Sequence, residues 1–182
     1  MRLFHFSEER GIKRFIPRPT ISSHHTIRDS VVWAVAEEGL WTYLVPRQCP
    51  RVTFYATSDS TPQDIETHLC GEMDKKVLAI ESSWLEQCLS TTLFRYEFKP
   101  DNFYLHDPIA YYYLSQYEET PVDALEICHP LLELARIGVE VRITPSLWEL
   151  RERIFRTSLA WGFIRMNNAT PPEKGYAAYL PV

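Results

Sequence analysis

The chain has 182 residues, 45% of them hydrophobic and 13% aromatic, and a net charge of −5. A chain of this length hides roughly 70% of its unfolded surface, so it can build a core without staples, and its aromatic content excludes a disordered polymer. The acidic balance argues against general attraction to phosphate backbones, and no run nears the roughly 18 apolar residues of a spanning helix, so neither nucleic acid nor a membrane is expected as a partner.

The apolar pattern gives the elements in order. Leu3 to Phe6 alternates as a short strand, and Gly11, Pro17 and Pro19 break the next stretch into loop. After Ser30, "VVWAVA" reads as a buried strand, and Leu40, Trp41 and Leu44 have the spacing of a helix face within Glu37 to Val45. "RVTFYAT" is a further strand. Pro62 after Thr61, with Asp64 and Glu66 close behind, starts a helix through about Leu69. "KKVLAIE" is a strand, with Ser82 or Ser83 expected to cap the helix "WLEQCLS". "LFRYEF", "NFYLHD" and "AYYYLSQY" read as strands. The longest helical pattern runs from Val122 to Arg136, with Pro130 expected to break or kink it and Gly138 to stop it. "VEVRIT" is a strand, Pro145 to Thr157 an amphipathic helix, and "AWGFIRM" a last strand.

This mixed order, without a regular β-α alternation or a repeat, predicts an α+β fold: one domain over 1–166 with a bent or split, mostly antiparallel sheet, then a tail over 167–182. Cys49, Cys70, Cys88 and Cys128 lie far apart with no C-x-x-C pair, and the N-terminus has no apolar signal-type region, so a reduced, cytoplasmic protein is expected. The sequon at Asn168 then has no glycosylation reading. Adjacent His24 and His25 point to opposite sides of an extended chain, and no metal site is expected from them.

His5 is the first residue with chemistry to offer. On a strand it is either a half-buried histidine bonded to a carbonyl or a holder of ribose hydroxyls. The stretch "LFHFS", then "GIKRFIPRP", then "VVWAVAEEGLWTYL" resembles the opening of the ADP-ribosyltransferase-like fold. That resemblance implies that His5 holds the nicotinamide-side ribose or amide of NAD and that Trp33 packs on the nicotinamide. The pattern departs at the acid: "AYYYLSQYEE" has tyrosines where the acid would stand, with Glu118 and Glu119 beyond the strand and Glu97 on another. Binding of NAD, ADP-ribose or a related nucleotide, with little or no transfer, is therefore what the resemblance implies. Over its whole length, through "LFHFSEE", "FIPRP", "YLVPRQCPRVTFYA" and "ITPSLWELR", the chain is similar to an uncharacterised bacterial family of unknown function.

Arg14, Arg18, Arg28, Arg47 and Arg51 fall in the first third, and "PRQCPR" holds Arg47 and Arg51 on a proline-stiffened loop. Such guanidinium groups either capture a phosphate or carboxylate or pair with the chain's own acids. Between them, Cys49 is open to a lowered pKa from nearby cations. Tyr111, Tyr112, Tyr113 and Tyr117 split between two strand faces, with Tyr112 opposite the others and available to line a pocket. The expected ligand site is thus a cleft bordered by His5, Trp33 and at least one of Arg18, Arg47 or Arg51, sized for a nucleotide-like anion, with Tyr112 a further ligand-binding candidate. The alternative is a non-catalytic interaction or self-association domain that uses "YYYLSQY" and the apolar end "YAAYLPV". Oligomeric state stays open.

Overall fold

Helix α1 (Pro62–Leu69) begins where local chemistry tells it to. Thr61 Oγ1 accepts from Asp64 N at 3.2 Å, proline occupies the first turn where a missing N–H costs nothing, and Cys70 closes the end at a left-handed φ of 58°. The computed structural model describes residues 1–19 and 29–172. Their contacts fall into two compact units: among the described residues unit 1 comprises 1–19, 29–43 and 92–128, and unit 2 comprises 44–91 and 129–172. The fold class is α+β, with the strands divided between two mostly antiparallel open sheets.

Unit 1 carries the larger sheet. Its strands are β1 (Leu3–Ser7), β2 (Arg18–Pro19), β3 (Ser30–Ala36), β6 (Leu93–Phe98), β7 (Tyr104–Asp107), β8 (Tyr112–Ser115) and β9 (Asp123–Ile127). They lie in the order β7-β8-β3-β1-β6-β9, with β2 added against β3, and all pairs are antiparallel. Because side chains alternate along a strand, one face collects Leu3, Val32, Ala34, Ala36, Tyr96 and Phe98, and Phe15 from the loop after β1 closes over them. The Tyr96 hydroxyl fixes that loop: it donates to Glu9 O at 2.7 Å and accepts from Ile12 N at 3.1 Å. The helix-spaced run after β3 is a 3-10 turn, Glu37–Tyr43, that buries Trp41. Gly39 is required there, since a Cβ would sit 2.8 Å from Val35 Cγ2 and 3.1 Å from Ala110 O.

Unit 2 stacks β10 (Val139–Thr144), β5 (Lys76–Glu81), β4 (Arg51–Tyr55) and β11 (Ala160–Ile164) in that order. β5 pairs parallel to β10 and antiparallel to β4, and it is buried from Val77 to Glu81. A central strand covered on both faces reads as the continuous apolar run "VLAI" rather than an alternation. Ile65 and Leu69 from α1, and Leu147 and Ile154 at and within α4 (Trp148–Phe155), complete a core with Val52, Phe54, Val77, Ala79 and Leu159.

Two sequence expectations are corrected. The single helix over 122–136 is instead the edge strand β9 followed by α3 (Pro130–Arg136). Pairing of Ala124 and Leu125 with Tyr96 and Arg95 overrides the helical spacing, while Pro130 starts the new helix at its first turn. Ser82 and Ser83 do not cap a helix: they form a 3-10 turn with Trp84, and α2 (Leu85–Ser90) starts at Trp84 without a side-chain cap. Gly138 does stop α3, at a φ of 77°.

Candidate functional site

The ladder between β1 and β3 is registered at Leu3 with Ala36 and Phe4 with Val35. One step on, the carbonyl of Trp33 is met by His5 Nδ1 at 2.9 Å. A carbonyl only accepts, so Nδ1 carries the proton and the imidazole serves as a bonded strand histidine. Its ring packs 4.9 Å from that of Phe15, on the face closed by the Tyr96-anchored loop. His5 and Trp33 are therefore adjacent, but the link runs through Trp33's backbone. Their side chains stand on opposite faces of the sheet, because His5 shares Leu3's face and Trp33 is three residues from Ala36.

Trp33 gathers a different set. Its indole meets the Tyr112 ring edge-on at 5.6 Å and the His106 ring at 5.9 Å, and Tyr112 in turn meets Tyr43 at 6.1 Å, which lies 6.2 Å from Phe6. Register explains the meeting: Trp33 pairs with Leu114 and Val35 with Tyr112, so Trp33 and Tyr112 are diagonal neighbours on one face. β2 brings Arg18 opposite Val31, which shares Trp33's face, and Arg18 is exposed. A diagonal neighbour of this kind sits roughly 7–8 Å away between Cα atoms, within reach of a long side chain. Tyr111, in the turn just before β8, holds a left-handed φ of 57°, and its carbonyl accepts from Ala36 N at 3.0 Å.

Arg47 and Arg51 belong to unit 2. Arg47 is exposed on the turn in which Cys49 N donates to Pro46 O at 2.9 Å. Arg51 is 2% exposed at the start of β4, and its Nη1 donates to Cys49 O at 2.9 Å, so it is a core residue and not a surface loop cation. The expectation of a lowered pKa at Cys49 is corrected. Its hydrogen bond with Cys88 and its burial push the thiol up, and they outweigh the opposing pull of Arg51. His24, His25, Arg28 and the aromatic end of the chain lie outside the described residues.

The three acids are all engaged. Arg2 bonds Glu97 through Nη2 at 2.7 Å and holds its carboxyl below the usual range. Arg14 reaches Glu118 at 3.3 Å on an exposed edge. Glu119 is buried, accepts from Ser115 Oγ at 2.5 Å, and pairs its backbone with Phe15 in both directions at 2.8 and 2.9 Å. Sequence reading missed Ser115, His106 and Tyr96. A serine four residues before a glutamate across a turn was the available signal for the first; nothing local marked the others.

Among the described residues no helix is long and apolar enough to cross a membrane. A family of unknown function, DUF6886, matches residues 4–169, and the chain belongs to it. No curated protein and no solved structure matches the chain.

Proposed function

We propose that unit 1 binds a nucleotide-like, phosphate-bearing ligand of the NAD or ADP-ribose kind on the Trp33 face, with little or no ADP-ribosyl transfer. The observation that carries this reading is the Trp33–Tyr112 ring pair at 5.6 Å with Arg18 on the same face. Aromatic rings stack a base or nicotinamide, and an arginine on the same wall matches a phosphate. His5 acts in this reading by fixing the Trp33 backbone rather than by touching ligand. Transfer needs charge stabilisation confined to the transition state, and Glu97, Glu118 and Glu119 each already serve another group. A bacterial source and a cytoplasmic setting belong to the same reading and rest on the sequence.

A thermal-shift screen with NAD and ADP-ribose tests it. A ligand at about 100 times its dissociation constant adds roughly 2.7 kcal/mol to stability. The wild type is expected to shift, and Trp33→Ala and Arg18→Ala to lose most of the shift. His5→Ala should weaken it through the lost Trp33 carbonyl bond. If no nucleotide moves the wild type, or Trp33→Ala shifts as the wild type does, the reading fails; robust glycohydrolase turnover would overturn the non-transferring half.

The second reading is self-association through exposed aromatics. Tyr117 in unit 1 is 65% exposed, and in unit 2 Phe155 and Trp161 are exposed, with Trp161 stacked on Phe163 at 4.3 Å. Sedimentation velocity showing a strict monomer at all concentrations removes it.

A further inference from the structure

Cys49 and Cys88 come from distant stretches of unit 2, the turn before β4 and helix α2, and both are fully buried. Their Sγ atoms lie 3.7 Å apart. Cys88 is the residue that α2 buries; Glu86, Gln87, Leu89 and Ser90 around it face outward. Arg51 follows Cys49 by two residues and is bonded to its carbonyl, which sets a buried cation beside the pair. Cys70 and Cys128, by contrast, are exposed.

We propose that Cys49 and Cys88 form a reversible disulfide when the protein meets a hydroperoxide, so that unit 2 carries a built-in redox clasp. This goes beyond the nucleotide reading and does not depend on it. The Cys88 thiolate attacks one peroxide oxygen, the O–O bond breaks, and a sulfenic acid forms at Cys88 while the leaving oxygen takes a proton as water. Cys49 then attacks the Cys88 sulfur, the S–O bond breaks, and a second water leaves. Two thiols and one hydrogen peroxide thus become one disulfide and two waters, with two electrons passing from sulfur to oxygen.

The arrangement suits each step. The hydrogen bond from Cys49, with help from Arg51, holds the Cys88 thiol below its ordinary value, which favours the thiolate that must attack. The resolving sulfur is already in contact, so the gap from 3.7 Å to the roughly 2.05 Å of a disulfide is closed by side-chain rotation and a small backbone shift. Access comes from local opening: a six-residue helix held by one buried side chain is drawn from the low-stability end of a fold. A paired thiol in a reducing compartment is the usual setting for transient, sensing disulfides rather than permanent ones.

The test is peptide mapping of the folded full chain after hydrogen peroxide, with free thiols alkylated before digestion without reductant. Wild type and Cys70→Ser/Cys128→Ser are treated in parallel, so the result does not hang on the variant. The expected product is a linked peptide pair containing Cys49 and Cys88, a mass loss of about 2 Da for the two hydrogens removed, and full recovery of both thiols with dithiothreitol. Both thiols should disappear together. Alkylation of both at their starting level, a sulfinic acid at Cys88 with no link, or a link that forms only in urea would each overturn the proposal.

Discussion

Among the described residues, each unit buries a glutamate, and the two are used differently. In unit 2, Glu81 is 0% exposed and gathers donors from two segments far along the chain: Leu147 N at 3.3 Å, and Thr170 N and Oγ1 both at 2.9 Å. In unit 1, Glu119 takes a hydroxyl from Ser115, only four residues away. The long-range work around Glu119 is done by backbone, through the Phe15 bridge, and by the Tyr96 hydroxyl on the loop. A carboxylate that clasps distant segments is a tertiary fastener, whereas one that serves a local turn is replaceable.

That contrast sets the largest expected effect. Glu81→Ala takes the acceptor from the buried Leu147 N–H and from two part-buried donors of Thr170, and should cost about 2–4 kcal/mol. Glu119→Ala removes a single side-chain bond and should cost about 1–3 kcal/mol. Urea unfolding of both variants measures the difference. Equal losses would show that burial alone, not the reach of the partners, sets the cost. The same clasp bears on the end of the domain, since Trp148 Nε1 donates to Thr170 O at 2.7 Å and Asn168 Nδ2 to Gln48 O at 2.7 Å. Loosening by Glu81→Ala should therefore raise amide exchange at 168–170.

Next in size is Tyr96→Phe. It deletes two hydrogen bonds to the loop after β1 without opening a cavity, for about 1–2 kcal/mol. Because the loop carries Phe15 over the His5 ring, the change should also shift the His5 imidazole signals in an NMR spectrum. An unchanged His5 environment would mean that the backbone bridge to Glu119 holds the loop by itself.

How legible each unit is in the sequence obeys the same division. The start of α1 is readable because its signals are local, Thr61, Pro62 and Asp64, and its end is readable to about Leu69. β5 is readable because covering on both faces leaves an unbroken apolar run. β9 is not, because "DALEI" carries helix formers and becomes a strand only by pairing with β6, a contact that spacing cannot reveal. The candidate site splits likewise. The meeting of Trp33 and Tyr112 depends on a register the sequence does not state, and the bond from His5 to the Trp33 carbonyl is one of two readings that a strand histidine allows. Arg51 reads as a loop cation since Pro50 precedes it, yet β4 draws it into the core. Cys49 and Cys88 are 39 residues apart, and only the fold makes them a pair.

The smallest effect expected is the most exact in its pH dependence. Asp64 Oδ2 accepts from Ser158 N at 2.8 Å, from Ser158 Oγ at 2.6 Å and from Thr61 Oγ1 at 2.9 Å, which fastens the start of α1 to the segment before β11. These bonds, led by that from the Ser158 hydroxyl, favour the charged form and hold the carboxyl below its ordinary value. A folded-state pKa below the unfolded value of about 3.9 contributes stability above that pH, and the contribution is lost as pH falls through the lower folded value. Asp64→Asn keeps the shape and removes the charge, so it should cost about 1 kcal/mol at neutral pH by weakening the bonds from Ser158 and Thr61. Glu97 and Glu140, whose carboxyls are also held low by Arg2 and Arg142, titrate in both proteins and cancel in the difference. His68 does not cancel, because in wild type its protonated form favours the Asp64 charge. The gap between wild type and variant, read from urea midpoints, should therefore be constant only above the His68 titration, widen slightly as His68 protonates, and close progressively below the unfolded value near 3.9. A gap that persists unchanged to the acid limit would mean that the Asp64 side chain works by shape alone, and its charge would have no part in joining α1 to Ser158.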